Sequence, residues 1–337
     1  MSGSRIVVIG SNSFSGSHFI YESLKSGHTI LGISRSSQPN PVFLPYLQDP
    51  ITRDLSKTNL LFSQCDLNKD LSQLKDNLND FQPDLVVNFA AQGMVAESWQ
   101  NPTHWYQTNV VSQVALHEFL RTLPSIHKYV HVTTPEVYGS TDAGWIKESF
   151  RFNPSTPYAV SRAACDLHLL SFFKAYGFPV VFTRASNVYG PCQQLYRIIP
   201  RAILSARTNS RMALHGGGHS VRNFIHIHDV AKATLQLAHE AAPGSSWHIS
   251  GTSSISIKDL VQAIANHCSV DIASFVDITD ERLGKDQSYL LDSSNIRETF
   301  GWRDTIDLTT GLSDTISWVD RNLKLLKTFS WNYEHKL

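Results

Sequence analysis

Two short stretches place side chains suited to acid–base chemistry at useful spacings. In TPYAVSR, Tyr158 follows Pro157 and precedes Arg162 by four residues. Residues four apart share one face of a helix, so a guanidinium at 162 can stand beneath the phenol. A phenol ionises near pH ~10 unless a neighbouring cation lowers that value. Arginine supplies the charge and a two-pronged donor, but with a pKa above roughly 12 it does not relay protons. In VTTPEVYG, Thr134 and Glu136 put a hydroxyl and a carboxylate two residues apart. A carboxylate needs only position and a suitable pKa to act as acid or base. The plain alternative for Glu136 is a surface charge in a turn.

Such groups need strand ends to hold them. RIVVIG (5–10), TILGIS (29–34), NLLFSQCDL (59–67), DLVVNFAA (84–91), KYVHVTT (128–134) and PVVFTRAS (179–186) are nearly continuous apolar runs. Runs of this kind belong to strands covered on both faces. Helical patterns alternate with them: SHFIYESLKSG (17–27), stopped by Gly27, and a helix from Pro157 to about Tyr176, stopped by Gly177 with Pro179 beyond. The fold class is therefore α/β, a Rossmann-type doubly wound parallel sheet. After residue 186 the pattern loosens into turn-rich segments, followed by amphipathic helices at 257–268 and 309–324. Residues 1–186 are expected to form mainly the dinucleotide-binding domain. Residues 187–330 are expected to form mainly a smaller C-terminal substrate-binding lobe over the carboxyl edge of the sheet, with some segments returning to the first domain.

Composition narrows the partners. The chain has 337 residues, 29 basic and 29 acidic side chains and no net charge, which gives no electrostatic reason to bind nucleic acid or an anionic membrane. No run of about 18 apolar residues is present to span a bilayer. The four cysteines are widely spaced, and neither a disulfide framework nor a metal site is expected. With no leader-like N-terminal segment, the expected compartment is the cytoplasm. The 15 histidines are scattered without ligand spacing.

The N-terminal strand runs into GSNSFSG, with Gly10 at its end and Gly16 at the start of a helix. In a dinucleotide site the first glycine permits the tight turn, and the helix N-terminus offers N–H groups to pyrophosphate. Ser13 occupies the place of the middle glycine, and Phe14 and Ser15 complete the loop. The second strand ends in Ser34, Arg35 and Ser36, where an NAD site usually carries an acid for the ribose; arginine and hydroxyls suit the extra phosphate of NADP. Asp66, with Leu67 beside it, is placed to receive the adenine amino group; a turn-forming aspartate is the alternative.

Those motifs join with NFAAQ, VTTPEVYGS, TPYAVSRAACD and SNVYGP in one order along the chain. Together they resemble the extended short-chain dehydrogenase/reductase superfamily, and more narrowly its NAD(P)-dependent nucleotide-sugar epimerase/dehydratase family, with the dTDP-glucose and GDP-mannose 4,6-dehydratases. The resemblance extends through VRNFIHIHDVAKA (221–233) and RLGKDQSYLLDSSNIRETFGW (282–302).

The resemblance implies a redox-neutral cycle on tightly bound NADP or NAD, with NADP favoured. Tyr158, as phenolate, takes the proton of the sugar 4-hydroxyl as hydride leaves C4, and Thr134 hydrogen-bonds the 4-oxygen. The ketone acidifies C5–H, Glu136 removes that proton, water leaves from C6, and the hydride returns there. Arg162 stands where the family usually has lysine. Pro135 stands where the dTDP-glucose type has an aspartate; the GDP-mannose type also lacks it, so Glu136 can serve both proton steps. Ala90, Ala91, Gln92 and Asn109 are implied to line the cofactor along with Tyr158 and Arg162. Gln92, Asn187, Arg197, Arg222 and Arg282 are implied substrate contacts, with Asn187 and Arg222 directed at the diphosphate and Arg282 near the nucleotide. The base and sugar stay open.

The implied partner is a nucleoside diphosphate sugar, and the implied assembly a homodimer in which Trp105, Leu116, Ala163 and Leu170 could line a four-helix interface. Trp99, Trp105, Tyr106 and Phe119 read as packing residues. Within the enzyme class, a nucleotide-sugar 4-epimerase or a UDP-glucuronate decarboxylase is the alternative. Outside it stands a non-catalytic NAD(P)-binding sensor, supported by the departures at Ser13, Pro135 and Arg162.

Overall fold

Alternate residues of RIVVI point to opposite sides of a strand, and both sides are apolar, so the segment needs cover on each face. The computed structural model describes residues 3–141, 144–280 and 288–336, and in it that cover is complete. Arg5–Ile9 forms β1, followed by β2 (Thr29–Ser34), β3 (Leu60–Gln64), β4 (Leu85–Asn88), β5 (Lys128–Val132) and β6 (Val180–Ala185). With strand Ser246–Ile249 they make one seven-stranded parallel sheet, in the order Ser246–Ile249, β6, β5, β4, β1, β2, β3. Val7 and Ile9 pack with Leu116, Leu120 and Leu169 on one face. Ile6 and Val8 pack with Phe19, Ile20 and Leu24 on the other. The doubly wound parallel sheet expected from the sequence is present. Its strand order reverses between β1 and β4, which opens a crevice at their carboxyl ends.

Two expectations need correction. β3 ends at Gln64 rather than at residue 67, and it is not covered on both faces: Leu61 is 58% exposed. The cause is its place at the edge of the sheet, where one flank has no neighbour. The first helix, α1 (Phe14–Lys25), begins three residues earlier than expected, because the Ser13 side chain accepts a hydrogen bond from the Gly16 N–H and caps it there.

Helix Pro157–Tyr176 matches the reading of its boundaries. Thr156 caps it through the Ala159 N–H, Pro157 occupies its first turn, and Gly177 ends it at φ 67°. Helices Ile198–Thr208, Ile257–Cys268 and Leu308–Leu326 share a separate apolar core that includes Ile203, Leu260, Ile264, Leu312 and Ile316. Strand Val221–Arg222 lies between strands Ile255–Ser256 and Ser288–Tyr289.

The chain does not stop at its last helix. Arg201 donates to the Trp331 carbonyl at 3.1 Å, the Tyr333 and Tyr196 rings meet edge to face, and His335 reaches His104 and Trp105. Trp105, Leu116 and Ala163 are buried within this single chain, so they are not the residues a partner subunit would meet. Val111, Val160 and Leu167 are among the exposed apolar side chains nearby. Among the four aromatics read as packing, Trp105 is buried and Phe119 is packed on the core, while Trp99 and Tyr106 are exposed.

Candidate active site

The loop after β1 is built for close approach. Gly10 has φ 82°, and a Cβ there would lie 2.8 Å from the Ala90 nitrogen; a Cβ on Gly16 would lie 2.3 Å from the Gly10 carbonyl oxygen. Only glycine fits either place. Phe14 turns its ring into the core beside Val181 and Ile225, so only its backbone faces the loop. Asn12 ties the loop to the end of β2: its N–H donates to Ser34 Oγ at 3.0 Å and its side chain to the carbonyls of Ser36 and Ser37.

Asp66 is occupied as a turn former. Its carboxylate accepts from the Asn68 N–H at 2.9 Å and its carbonyl from Lys69 and Asp70, the alternative weighed against adenine recognition. Leu67 packs against the core and Ala91 is exposed. Ala90 is fixed by the Asn88 side chain through its N–H and by Gln113 through its carbonyl. Gln92 and Asn109 exchange two hydrogen bonds, of 2.8 and 3.1 Å. Asn109 lies in the π-helical turn Gln107–Val111 and also donates to Ser161 Oγ, which donates to the Tyr158 carbonyl. One chain of bonds thus links the exit of β4 to the Tyr158 helix.

Thr134 closes β5 and caps the short helix Pro135–Tyr138, accepting from the Glu136 N–H at 3.3 Å. Proline suits the first position of such a turn, which gives Pro135 a structural reason. Tyr158 is 8% exposed. Burial, and then the charge of Glu136, raise its pKa above the ordinary phenol value; Arg162, a hydrogen bond with Thr134, and Arg197 pull the other way. Thr134, Glu136, Arg162 and Arg197 therefore each act on Tyr158. Tyr158 is a neutral phenol near neutral pH until further positive charge arrives.

Arg162 points beneath this group. It is 2% exposed, its Nη2 donates to the Val132 carbonyl and lies 3.4 Å from His131 Nε2, and its Nε and Nη1 have no partner among the described residues. One turn further, Asp166 pairs with Arg184 at 2.6 Å with both side chains fully buried. Burial pushes the Asp166 carboxyl up, but Arg184, His131 and Arg162 outweigh it and hold it below the ordinary value. Burial brings His131 down to about 4 and lifts the Cys165 thiol to about 12. Ligand atoms of His117, His131 and Cys165 lie within 4.8 Å of one another, a convergence their spacing did not reveal. The Arg162 guanidinium beside His131 opposes a further cation there.

The other predicted handles are dispersed. Asn187 is held through its backbone by the Asn223 carbonyl at 3.0 Å. Arg197 is exposed beside the Tyr196 ring. Arg222 is buried, with its guanidinium 4.6 Å above the Tyr289 ring. Arg282 lies outside the described residues. Arg35 Nη1 and Gln92 Nε2 both donate to the Lys336 carbonyl, at 3.1 and 2.7 Å. Asn12, Ser161 and Lys336 had escaped notice. Asn12 and Ser161 offered only their polar types, and the terminal SWNYEHKL offered no period.

These features fit a dinucleotide. The glycine cradle excludes side chains, α1 offers its N-terminus, and the Asn12 Oδ1 and two Arg162 donors are buried without partners among the described residues. Residues 7–315 match the family model described as GDP-mannose 4,6 dehydratase. A dTDP-glucose 4,6-dehydratase of Actinoplanes is 30% identical over 327 residues, covering 94% of this chain and 98% of its own. A trifunctional UDP-glucose 4,6-dehydratase/3,5-epimerase/reductase of Arabidopsis thaliana is 30% identical over 242 residues. The alignment with it takes in 71% of this chain and 36% of the plant protein, so the chain spans about a third of that relative. The crystal structure of a dTDP-glucose 4,6-dehydratase from Streptomyces venezuelae with NAD bound has a TM-score of 0.86 and 29% identity, covering 95% of this chain and 98% of that one.

Proposed function

This chain belongs to the GDP-mannose 4,6-dehydratase family, and we propose that it converts a nucleoside diphosphate hexose into the 4-keto-6-deoxy sugar nucleotide. The observation that carries this reading is the meeting of Tyr158, Thr134 and Glu136 at the end of β5. An epimerase needs the phenol and the hydroxyl but has no C5 proton to remove. A carboxylate close enough to raise the Tyr158 pKa is what elimination adds.

NAD(P), held by the Gly10–Gly16 loop and beside Tyr158 and Arg162, would supply the hydride acceptor for C4 and the hydride donor for C6. Tyr158 takes the proton of the sugar 4-hydroxyl, with Thr134 holding the same oxygen. The positive charges of Arg162 and Arg197 stabilise the phenolate against burial and Glu136. Glu136 then removes the C5 proton and delivers it to the C6 hydroxyl, which departs as water; once the hydride is back at C6, C5 takes up a proton from solvent, balanced by the 4-hydroxyl proton that Tyr158 took and releases. Atoms balance: one water is lost and the cofactor ends as it began, which makes the enzyme a lyase. The orphan donors of Arg162 support a role at the nicotinamide ribose.

Arg35 and Ser36 at the end of β2 support NADP over NAD, and Arg197, Arg222 and Arg282 serve the substrate diphosphate. A homodimer across Val111, Val160 and Leu167 and a cytoplasmic location complete the reading; no helix among the described residues is long and apolar enough to cross a membrane.

The test is mass spectrometry of a panel of nucleotide hexoses incubated with the protein and each dinucleotide. Loss of one water from one substrate is expected, and it identifies the base. An isomer of unchanged mass points to the epimerase, and loss of carbon dioxide from UDP-glucuronate points to the decarboxylase. If a dinucleotide binds and every sugar survives, the sensor replaces the enzyme.

A further inference from the structure

The last residues of the chain lie where a dinucleotide would lie. In the sheet, β1 stands between β2 and β4, and neighbouring strands are about 4.8 Å apart. Arg35 follows directly on β2, and Gln92 lies four residues beyond the end of β4. A single atom, the Lys336 carbonyl oxygen, accepts from both side chains. It therefore bridges the segments that follow β2 and β4, the two strands flanking β1, beside the point where the strand order reverses. Ligands of open α/β sheets bind in that crevice.

The approach of the tail is built from specific contacts. Trp331 is pinned by its indole N–H to the Leu326 carbonyl at 3.0 Å and by Arg201, which lies 5.4 Å from its ring and bonds its carbonyl. Tyr333 meets Tyr196 edge to face at 5.3 Å. His335 is hydrogen-bonded to His104 at 2.9 Å, and its ring is within 7° of parallel to that of buried Trp105. The tail thus docks on the helix carrying Arg201, on the segment before it, and on the helix Pro102–Tyr106.

We propose that the segment Tyr333–Lys336 is an intrasteric competitor of the dinucleotide, which must displace it to bind. This rests on the NAD(P) reading of the glycine loop. Competition, not a clamp over bound cofactor, follows from the chemistry of the contact. A carbonyl oxygen and a phosphate or ribose oxygen are both acceptors, and they claim the same donors on Arg35 and Gln92. Two acceptors side by side repel, so the docked tail and the ligand do not share the crevice. The contacts are few and each is modest, which suits a segment that must leave. A tail docked nine-tenths of the time leaves about one-tenth of the protein competent, and the apparent Kd rises about tenfold.

The experiment measures NAD and NADP binding by calorimetry to the full chain and to a chain ending at Asn332, which keeps Trp331 and its contacts. The shortened chain is expected to bind about tenfold more tightly. Hydrogen exchange of the full chain should show residues 333–336 exchanging faster when the dinucleotide saturates it. The full-length variants Tyr333→Gly and His335→Gly should each move affinity the same way, and they cover the case in which the shortened chain does not fold. Equal affinity within twofold, weaker binding by the shortened chain, or slower tail exchange with ligand overturns the proposal. If neither form binds either dinucleotide, the NAD(P) reading itself is overturned, which is a different result from equal binding.

Discussion

Two arginines are buried near the carboxyl ends of β5 and β6, and they are treated differently. Arg184 has an ion pair and more: Asp166 at 2.6 Å, Ser246 as a further acceptor, and the rings of Tyr138, Phe150 and Phe152 within 5.6 Å, with only its Nε lacking a partner among the described residues. Arg162, just as buried, has one carbonyl and one imidazole, and two of its nitrogens have no partner among the described residues. Desolvating a charge without pairing it is costly. A structure tolerates that cost where the group serves something else, here the phenol one turn away. Of these two arginines, the one with an ion pair holds the fold together, and the one without stands beside the phenol.

The comparison predicts its largest effect at Arg184. Replacing it by leucine strands the Asp166 carboxylate in the core, and breaking a buried pair from one side costs about 3–5 kcal/mol. Urea unfolding of Arg184→Leu should show that loss, and Arg184→Leu with Asp166→Leu should recover much of it. If the single change costs less than ~1 kcal/mol, the value of a surface pair, the pair is not the support argued here.

Acid should weaken the same region in two stages. His131 has a folded pKa of about 4, below its ordinary 6.5, so the unfolded chain binds the extra proton between those values. Stability therefore falls as pH drops from 6.5 to 4, by about 1.4 kcal/mol per pH unit for this one group. The Asp166 carboxyl is also lowered. Its contribution is complete above the unfolded value near ~3.9 and is lost as pH falls through the lower folded one. Denaturant melts across that range check both stages. A His131→Asn variant should make the upper stage shallower by that amount, with buried His18, His117, His226 and His248 supplying the rest, and should also weaken the lower stage, because His131 helps hold the Asp166 carboxyl down.

Arg162 should behave in the opposite way. Arg162→Met removes an underpaired charge, so stability should change by less than about 1 kcal/mol or improve. Turnover should fall roughly 10- to 100-fold, because the phenol loses the cation that opposes burial and Glu136. The alkaline shift of the kcat–pH profile is the readout a structural role would not move, and Arg162→Lys should restore most of it. A variant as unstable as Arg184→Leu would erase the distinction.

This distinction could not be read from the sequence, although the frame that carries it could. The apolar runs placed the strands, and Pro157 and Gly177 marked the ends of the Tyr158 helix, because those signals are local. What Arg162 and Arg184 do depends on Asp166, His131 and the Val132 carbonyl, which come together only when β5, β6 and the helix pack. β3 misled for a related reason: its composition is that of a covered strand, but its edge position leaves Leu61 in water. Lys336 meets Arg35 and Gln92 across 301 and 244 residues, from a segment with no periodicity to announce it.

The smallest test lies in the glycine loop, where Ser13 stands on the satisfied side of the same divide. Its Oγ accepts from the Gly16 N–H at 3.0 Å, which engages one of the first donors of α1 before any phosphate arrives. Ser13→Ala removes the cap and should cost about 1 kcal/mol, whereas Ser13→Gly should cost only a few tenths. If unengaged donors are the functional ones, both variants release that N–H, and Ser13→Gly, the less disruptive, should bind NAD(P) severalfold more tightly in the chain ending at Asn332, where the tail does not compete. An affinity that falls with the cap would place Ser13 on the other side, as a ligand contact in its own right and not a substitute for one.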